Sequence, residues 1–483
     1  MAKSVTPFVR DAMLPQQSPP LTEKGAIKWL RENLFSGPLN TILTLLAIAA
    51  LFLLIKGSLP WWLHGVWNAA SLGECRSIIS ESFGETASGA CWAVIRERWH
   101  QFIFGFYPPE EYWRPVLAFA LMFFALAPVL FSESRFGRIA LLSSVTVLGI
   151  VCLFGVTPAG GALIWVLSAV LLGLMAVAWA APSKLLILSL LFPALAFWLL
   201  WGGTVWGPVV VLLGFAALAL VYRVLRTYMG VVMATALGFV TACLWWYFAQ
   251  GPVSAKLQAI APFGLQHVDS DRFGGFLLAI TIGVTAIVAS LPLGILLALG
   301  RRSDMFLIKT LSVGFIEFIR GVPLITMLFT ASLLLQYFLP PNTNFDLILR
   351  VDILVTLFAS AYIAEVVRGG LAALPRGQYE AADALGLDYW QAQRLIIMPQ
   401  ALKIAIPGIV SSFIGLFKDT TLVALVGLMD PLQGVRKIVL SDTAWRGIYW
   451  EPFIFVGAIF FVVCFSMSRY SMYLERKLKT DHR

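Results

Sequence analysis

The stretch Leu374-Pro375-Arg376-Gly377-Gln378-Tyr379-Glu380-Ala381-Ala382-Asp383-Ala384-Leu385-Gly386-Leu387-Asp388-Tyr389-Trp390-Gln391, continued by Ala392-Gln393-Arg394-Leu395-Ile396-Ile397-Met398-Pro399-Gln400, is the most informative in the chain. Gln378 to Leu385 are good helix formers, and Gly386 stands where a helix commonly ends in a left-handed residue. Asp388 has Gln391 three residues on, the arrangement of a capping box that opens a second helix. Pro399 bends that second helix as it runs into apolar sequence. The pattern predicts a rigid helix–Gly–helix elbow. Its Ala381-Ala382 surface is small enough for close approach by another protein, which suits a compact lever that a partner can grip.

Working outward, the elbow is flanked by sequence made for lipid. Of the 483 residues 59% are hydrophobic and 13% charged, against about 45–50% apolar and about 25% charged in soluble domains. Such a chain cannot cover a water-soluble particle with polar surface, which excludes soluble enzymes, disulfide-rich secreted domains and disordered hubs. Apolar runs near the roughly 20 residues needed to cross a bilayer fall at 39–55, 115–131, 139–155, 161–181, 185–202, 207–222 and 227–249. Five more lie at 273–299, 312–338, 352–370, 405–427 and 452–474. The expectation is an all-α integral membrane protein of about twelve transmembrane helices. The polar leader before the first run is too long for the n-region of a cleaved signal, so that run reads as a retained anchor.

With the N-terminus inside, Lys and Arg favour the cytoplasmic segments by about two to one. That places the leader 1–38, the elbow and the tail 475–483 in the cytoplasm. The formal net charge of +9 has the same topological origin, and nucleic-acid binding is not expected. Five cysteines and His64, His100, His267 and His482 show no metal-ligand spacing, so neither a metal nor a His-based catalytic site is expected. The largest soluble piece is the external loop 56–114, with Trp61, Trp62, Trp67, Trp92, Trp99 and Trp113. An interfacial aromatic belt accounts best for these rings; a docking surface for an external partner is the alternative. Cys75 and Cys91 lie in this loop and can pair in an oxidising compartment, although spacing alone does not join them.

The two halves differ in charge. Runs one to seven hold almost no ionisable residue, whereas the last 210 or so residues place Glu317, Arg320, Glu365, Arg368, Lys418 and Asp419 in or beside apolar sequence. In lipid such groups are costly and by default mark a substrate or ion pathway; snorkelling at a boundary is the bland account, strongest for Arg368. Glu317 and Arg320, three apart, share a helix face and can pair. Gly321-Val322-Pro323 follows and predicts a break or bend, tolerated at depth only beside protein or a wet cavity.

These residues carry a resemblance. Glu380-Ala381-Ala382, Gly386 and Ile396-x-Met398-Pro399 resemble the EAA signature of ABC-importer permeases, with Met398 where Leu is usual. Ile316 to Leu324, Ala361 to Gly370 and Lys418-Asp419-Thr420-Thr421-Leu422 are similar to blocks of the polar amino-acid uptake branch. The order and spacing match over 273–474. Ser is commoner at the position of Thr421, and Met327 stands where the family often has Gln. The extended N-terminal half further resembles permeases of general L-amino-acid and acidic-amino-acid/amide uptake systems.

The resemblance implies an N-terminal extension of about seven helices (39–249), an external linker (250–272) and a type I importer permease core of five helices (273–474). It implies a coupling loop, with Glu380, Ala381, Ala382, Gly386 and Pro399, that docks on a separate ABC ATPase dimer. It implies a periplasmic amino-acid-binding protein, a homologous second permease subunit in preference to a homodimer, and a bacterial inner membrane. No Gly-Lys dipeptide occurs, so no Walker A loop is present; ATP and Mg²⁺ would be used by the partner, with no cofactor on this chain. For a zwitterion, Asp419, Glu317 and Glu365 could take the ammonium, Arg320 or Lys418 the carboxylate, and Thr420 and Thr421 could donate hydrogen bonds. A secondary transporter is the alternative, since Ser134-Arg135-Phe136-Gly137-Arg138 sits between runs two and three, but the halves show no repeat. A membrane enzyme or channel ranks last.

Overall fold

The computed structural model describes residues 25–131, 134–156, 161–334, 337 and 345–478. The first 24 residues of the expected leader and the last five of the tail lie outside them. Two compact units divide the chain, 1–94 and 95–483.

In the first unit, α1 (Gly25–Asn33) precedes α2 (Pro38–Leu63), 26 residues long with none buried. A helix apolar on every side and covered by nothing in its own unit is a lipid-facing span. Helix α3 (Leu72–Phe83) is capped by the Ser71 hydroxyl, which accepts from the Glu74 N–H. A disulfide joins Cys75 to Cys91. Trp92 lies within 6 Å of Trp61, Trp62 and Trp67, with ring centroids 5.7, 5.1 and 5.8 Å away.

The second unit begins in α4 (Ala93–Phe104). Its first bundle is α5 (Trp113–Leu130), α6 (Arg135–Val156), α7 (Ala162–Ala180) and α8 (Leu185–Trp201), then α9 (Trp206–Leu244) and α10 (Gln250–Ile260). Strand β1 (Gly203–Thr204) pairs antiparallel with β2 (Gly264–Leu265). Helix α5 is the hub, with 67% of its apolar window buried against 11–28% for the windows of α6 to α9. The runs expected at 207–222 and 227–249 both fall in α9, which breaks at Gly230 (φ 78°, ψ 169°) into two arms that fold back on one another, with the Trp245 and Trp246 indoles donating to the Val210 and Val211 carbonyls at 2.9 and 3.1 Å. The last five residues of the second run form a π turn, Trp245–Ala249, and α10 continues beyond it. About twelve spans were expected; by length and composition alone ten helices among the described residues can cross a membrane, or up to eleven with one bent pair taken as a span, a count that takes only Trp206–Val231 from α9 and leaves out the arm beyond Gly230.

The second bundle is α11 (Gly275–Arg301), α12 (Phe306–Gly321), α13 (Leu324–Phe329), α14 (Leu347–Ala372), the elbow helices α15 (Arg376–Ala384) and α16 (Tyr389–Ala392), α17 (Met398–Asp419), α18 (Pro431–Ser441) and α19 (Trp450–Leu478). Helix α14 is its hub, with 56% of its window buried. Close approach rests on small residues, as is usual where lipid offers no hydrophobic drive: a Cβ on Gly294 of α11 would fall 2.6 Å from Ile363 of α14. The bend expected at Gly321-Val322-Pro323 is present, 101° between α12 and α13.

The two bundles are clipped together at both ends. At one end the Tyr107 hydroxyl donates to the Leu200 carbonyl at 2.8 Å, and Trp201 stacks on Phe273 with centroids 4.5 Å apart. At the other, the Tyr470 hydroxyl of α19 donates to the Leu130 carbonyl at 2.6 Å.

Candidate functional site

The elbow forms as its sequence predicts. The Leu387 N–H reaches the Ala382 carbonyl and the Gly386 N–H reaches that of Asp383, at 3.2 and 2.9 Å, closing α15 over Gly386 at φ +69°. Such a φ costs an L side chain, and glycine nothing. The capping box is complete: the Asp388 carboxylate accepts from the Gln391 N–H at 2.8 Å, and the Gln391 amide oxygen accepts from the Asp388 N–H at 3.1 Å. Pro399 sits in the first turn of α17, after a π turn over Gln393–Ile397. Lacking an N–H, it cannot close a normal turn onto Leu395, and the wider π turn stands in its place.

The elbow is held to the bundle on one side only. Arg302, just past α11, donates to the Tyr379 hydroxyl at 2.9 Å and lies 5.4 Å over its ring. The Gln400 amide donates to Gln378 at 2.9 Å. Of the two alanines, Ala381 faces out but Ala382 is buried, at 1% exposure, so the small outward surface is half of what was expected. Glu380 and Gly386 are exposed. So are four large side chains, Leu385 (72%), Trp390 (65%), Leu395 (64%) and Tyr389 (53%).

Beside the elbow lies a charge cluster. Glu317 and Arg320 do not pair with each other. Arg301 takes Glu317 at 2.9 Å and Glu365 at 3.4 Å, while Arg320 lies 3.8 Å from Glu365. Arg368 donates twice to Glu365, at 2.5 and 2.9 Å. Sharing a face of α12 was therefore a weaker constraint than the approach of α11 and α14. One half-buried carboxylate, Glu365, thus meets three guanidiniums, and Arg320 also lies 5.6 Å over the Tyr362 ring.

The remaining pathway candidates stand elsewhere. Lys418, Asp419, Thr420 and Thr421 close the far end of α17, where Thr420 and Phe417 pack on Gly283 of α11. Gly283 and Arg301 are 18 residues apart on one helix, about 27 Å at 1.5 Å per residue. One amino acid cannot touch both groups together. The Thr420 and Thr421 hydroxyls donate to the carbonyls of Phe417 and Lys418, at 2.7 and 2.9 Å, so their protons are already committed. Asp419 makes no hydrogen bond or ion pair among the described residues.

Several charged residues escaped the sequence reading. Arg301, just past the apolar run 273–299, carries no signal of its own, and only the packing of α11 on α12 and α14 makes it the bridge of the cluster. Arg350 is buried in α14 and donates to the Ser332 and Phe345 carbonyls at 3.0 and 2.8 Å. Asp352, two residues on, buries an Oδ1 with no hydrogen-bond partner among the described residues. Two charges in the first turns of an apolar helix were the available signal. Asp430, fully buried, caps α18 by accepting from the Leu432 and Gln433 N–H groups; burial outweighs these bonds and pushes its pKa up to about 6. Among the described residues no cluster of His, Cys, Asp and Glu could hold a metal.

Comparison with known proteins matches residues 290–480 to the family described as binding-protein-dependent transport system inner membrane component. The chain is similar to the glutamate/glutamine/aspartate/asparagine transport system permease protein BztC of Rhodobacter capsulatus, 62% identical over 480 residues, covering 99% of this chain and 100% of the relative. It is also similar to the inner membrane amino-acid ABC transporter permease protein YhdY of Escherichia coli K12, 35% identical over 456 residues, 94% of each. A crystal structure of an amino acid ABC transporter with histidines aligns at 31% identity and a TM-score of 0.37, over 42% of this chain and 91% of that one.

Proposed function

The chain belongs to the amino-acid permeases of the binding-protein-dependent ABC importers, and on that premise we propose how its parts act. It is the permease subunit of an amino-acid importer, a multi-pass membrane chain. The proposal is that 273–474 works as the translocating core by alternating access, that 39–249 is an extension linked to it through 250–272, and that the leader 1–38 and tail 475–483 face the cytoplasm of a bacterial inner membrane. A separate ABC ATPase dimer would grip the elbow at Glu380, Ala381 and Gly386, with Ala382 and Pro399 fixing its shape from within. ATP and Mg²⁺ belong to that partner. A homologous second permease would complete the pathway, and a periplasmic binding protein would deliver substrate.

The observation that carries the reading is the elbow's one-sided anchorage. Arg302, Tyr379 and Gln400 tie the elbow to α11 and α17, while Leu385, Trp390 and Leu395 stand exposed. Exposed aromatic and apolar side chains on a rigid support are what a protein partner buries. A push on that face would pass through α17 into the bundle. Substrate would then meet the two charge groups in turn: Lys418, Asp419, Thr420 and Thr421 toward the far end, and Glu317, Arg320 and Glu365, with Arg301, beside the elbow. The named relative BztC suggests glutamate, glutamine, aspartate and asparagine as substrates.

The test is amino-acid uptake into proteoliposomes holding the permease pair, the ATPase and the binding protein. Gly386→Val places a β-branched side chain at φ +69° and should abolish both uptake and stimulated ATP hydrolysis. Trp390→Ala leaves the backbone alone and should lower both together through the docking face. Uptake that survives without ATP, or Trp390→Ala and Gly386→Val complexes with full coupling, would overturn the reading.

A further inference from the structure

At the end of the second unit away from the elbow, a cavity of about 350 Å³ opens between the extension and the core. Arg98, Gln101 and Phe106 line it from α4 and the loop after it; Lys437, Ser441, Asp442 and Thr443 line it from α18 and its following turn. The volume lies at the lower end of the range for small-molecule sites. The two sides are held in register by backbone. Gly105, at φ +69°, crosses Gly274 so closely that a Cβ on it would fall 2.3 Å from the Gly274 Cα, and Gly274 in turn bridges to Met429.

The charges on this cavity have a definite pattern. Arg98 forms an ion pair with Asp442, whose other oxygen accepts from the Ala444 N–H at 3.0 Å. Lys437 lies 5.6 Å over the Phe106 ring and has no carboxylate within 4 Å among the described residues. Two cations thus face one carboxylate. The guanidinium keeps N–H groups beyond those spent on Asp442, and each Asp442 oxygen keeps a lone pair. Gln101 and Thr443 add neutral donors and acceptors.

We infer that this cavity is a binding site for an acidic amino acid, on the face from which substrate would enter. A dicarboxylic amino acid carries two carboxylates and one ammonium, the mirror image of Arg98, Lys437 and Asp442. Lys437 and Arg98 take the two carboxylates, and Asp442 takes the ammonium. A neutral amide such as glutamine presents one carboxylate and leaves one of the two cations without an anion. The site needs Arg98 and Gln101 from the extension, so the extension supplies half of a selectivity filter that the core could not build alone. The inference rests on the importer reading and adds a discriminating station to it.

The experiment uses the complete importer in nanodiscs without its binding protein, with L-glutamate and L-glutamine as probes, followed by uptake in proteoliposomes. Wild type should bind L-glutamate more tightly than L-glutamine. Lys437→Gln should weaken L-glutamate binding by about tenfold or more and raise its KM for uptake, with a markedly smaller loss for L-glutamine. Gln101→Leu, which keeps every charge, should weaken both probes alike and by less. No L-glutamate binding to the wild-type complex, or equal losses for both probes in Lys437→Gln, would overturn the site. An intact ATP-driven uptake in that case leaves the importer reading standing, whereas wild-type uptake that ignores ATP would sink the importer reading instead.

Discussion

Helices α5 and α14 are each the buried hub of a bundle, with 67% and 56% of their apolar windows covered. They differ in what they bury. The buried face of α5 is Leu117, Ala118, Leu121, Phe124, Ala125 and their neighbours, with Arg114 at its first turn held by Glu111 at 2.7 Å. Helix α14 buries Arg350 and carries Asp352, Glu365 and Arg368 along its length. Equal burial therefore serves two purposes: α5 is a packing post, and α14 is a post with chemistry on it. In lipid an apolar hub costs nothing to leave exposed, whereas each charge must be paired or wet.

The sharpest way to break that contrast is Glu365→Gln. Three guanidiniums would lose their shared carboxylate, and uptake should fall by roughly a hundredfold. Unchanged uptake would reduce the cluster to structural filler. Next comes Phe124→Ala in α5, which empties a fully buried ring site. A loss of about 3–5 kcal/mol is expected, read as a lower thermal midpoint in detergent, with KM for substrate unaltered. A changed KM would give α5 a part in transport.

Gly105→Ala tests the seam between the bundles. The added methyl meets the Gly274 backbone and sits at positive φ, so a loss of about 2–3 kcal/mol is expected, with the extension becoming sensitive to protease before the core. A single unaltered melting transition would mean the seam carries no load. The smallest effect should be that of pH on Asp430. Its folded pKa of about 6 lies above the ordinary 3.8, so its charge destabilises the fold above pH 6 and that burden lifts as pH falls toward 4. Thermal midpoints should rise slightly from pH 7 to pH 5 in wild type, and Asp430→Asn should flatten that slope. Equal slopes in both proteins would remove Asp430 as the cause.

Much of this was legible because the relevant signals are local. The elbow rests on Gly386 and on the Asp388–Gln391 box, both decided within one or two turns of chain, and the break before α13 on Val322-Pro323. The cluster was half legible: Glu317, Arg320 and Glu365 were found as charges out of place in apolar sequence. The bridging partner Arg301 was not, because it is 64 residues from Glu365, and an arginine at the end of an apolar run looks the same in sequence whether it reaches inward or into water.

The sequence by itself therefore determined the solvent of this protein, its helical class, the elbow and the existence of costly charges in its last third. Composition and short-range backbone preference act on each residue wherever it sits. Tertiary structure alone decided which charges meet, that Lys418–Thr421 and Glu365's cluster pack at different levels of α11, and that Ala382 turns inward. It also decided that Arg98 and Lys437, 339 residues apart, share one cavity. Those outcomes depend on the crossing of helices, which is set by the summed fit of many small contacts and leaves no mark at any one position.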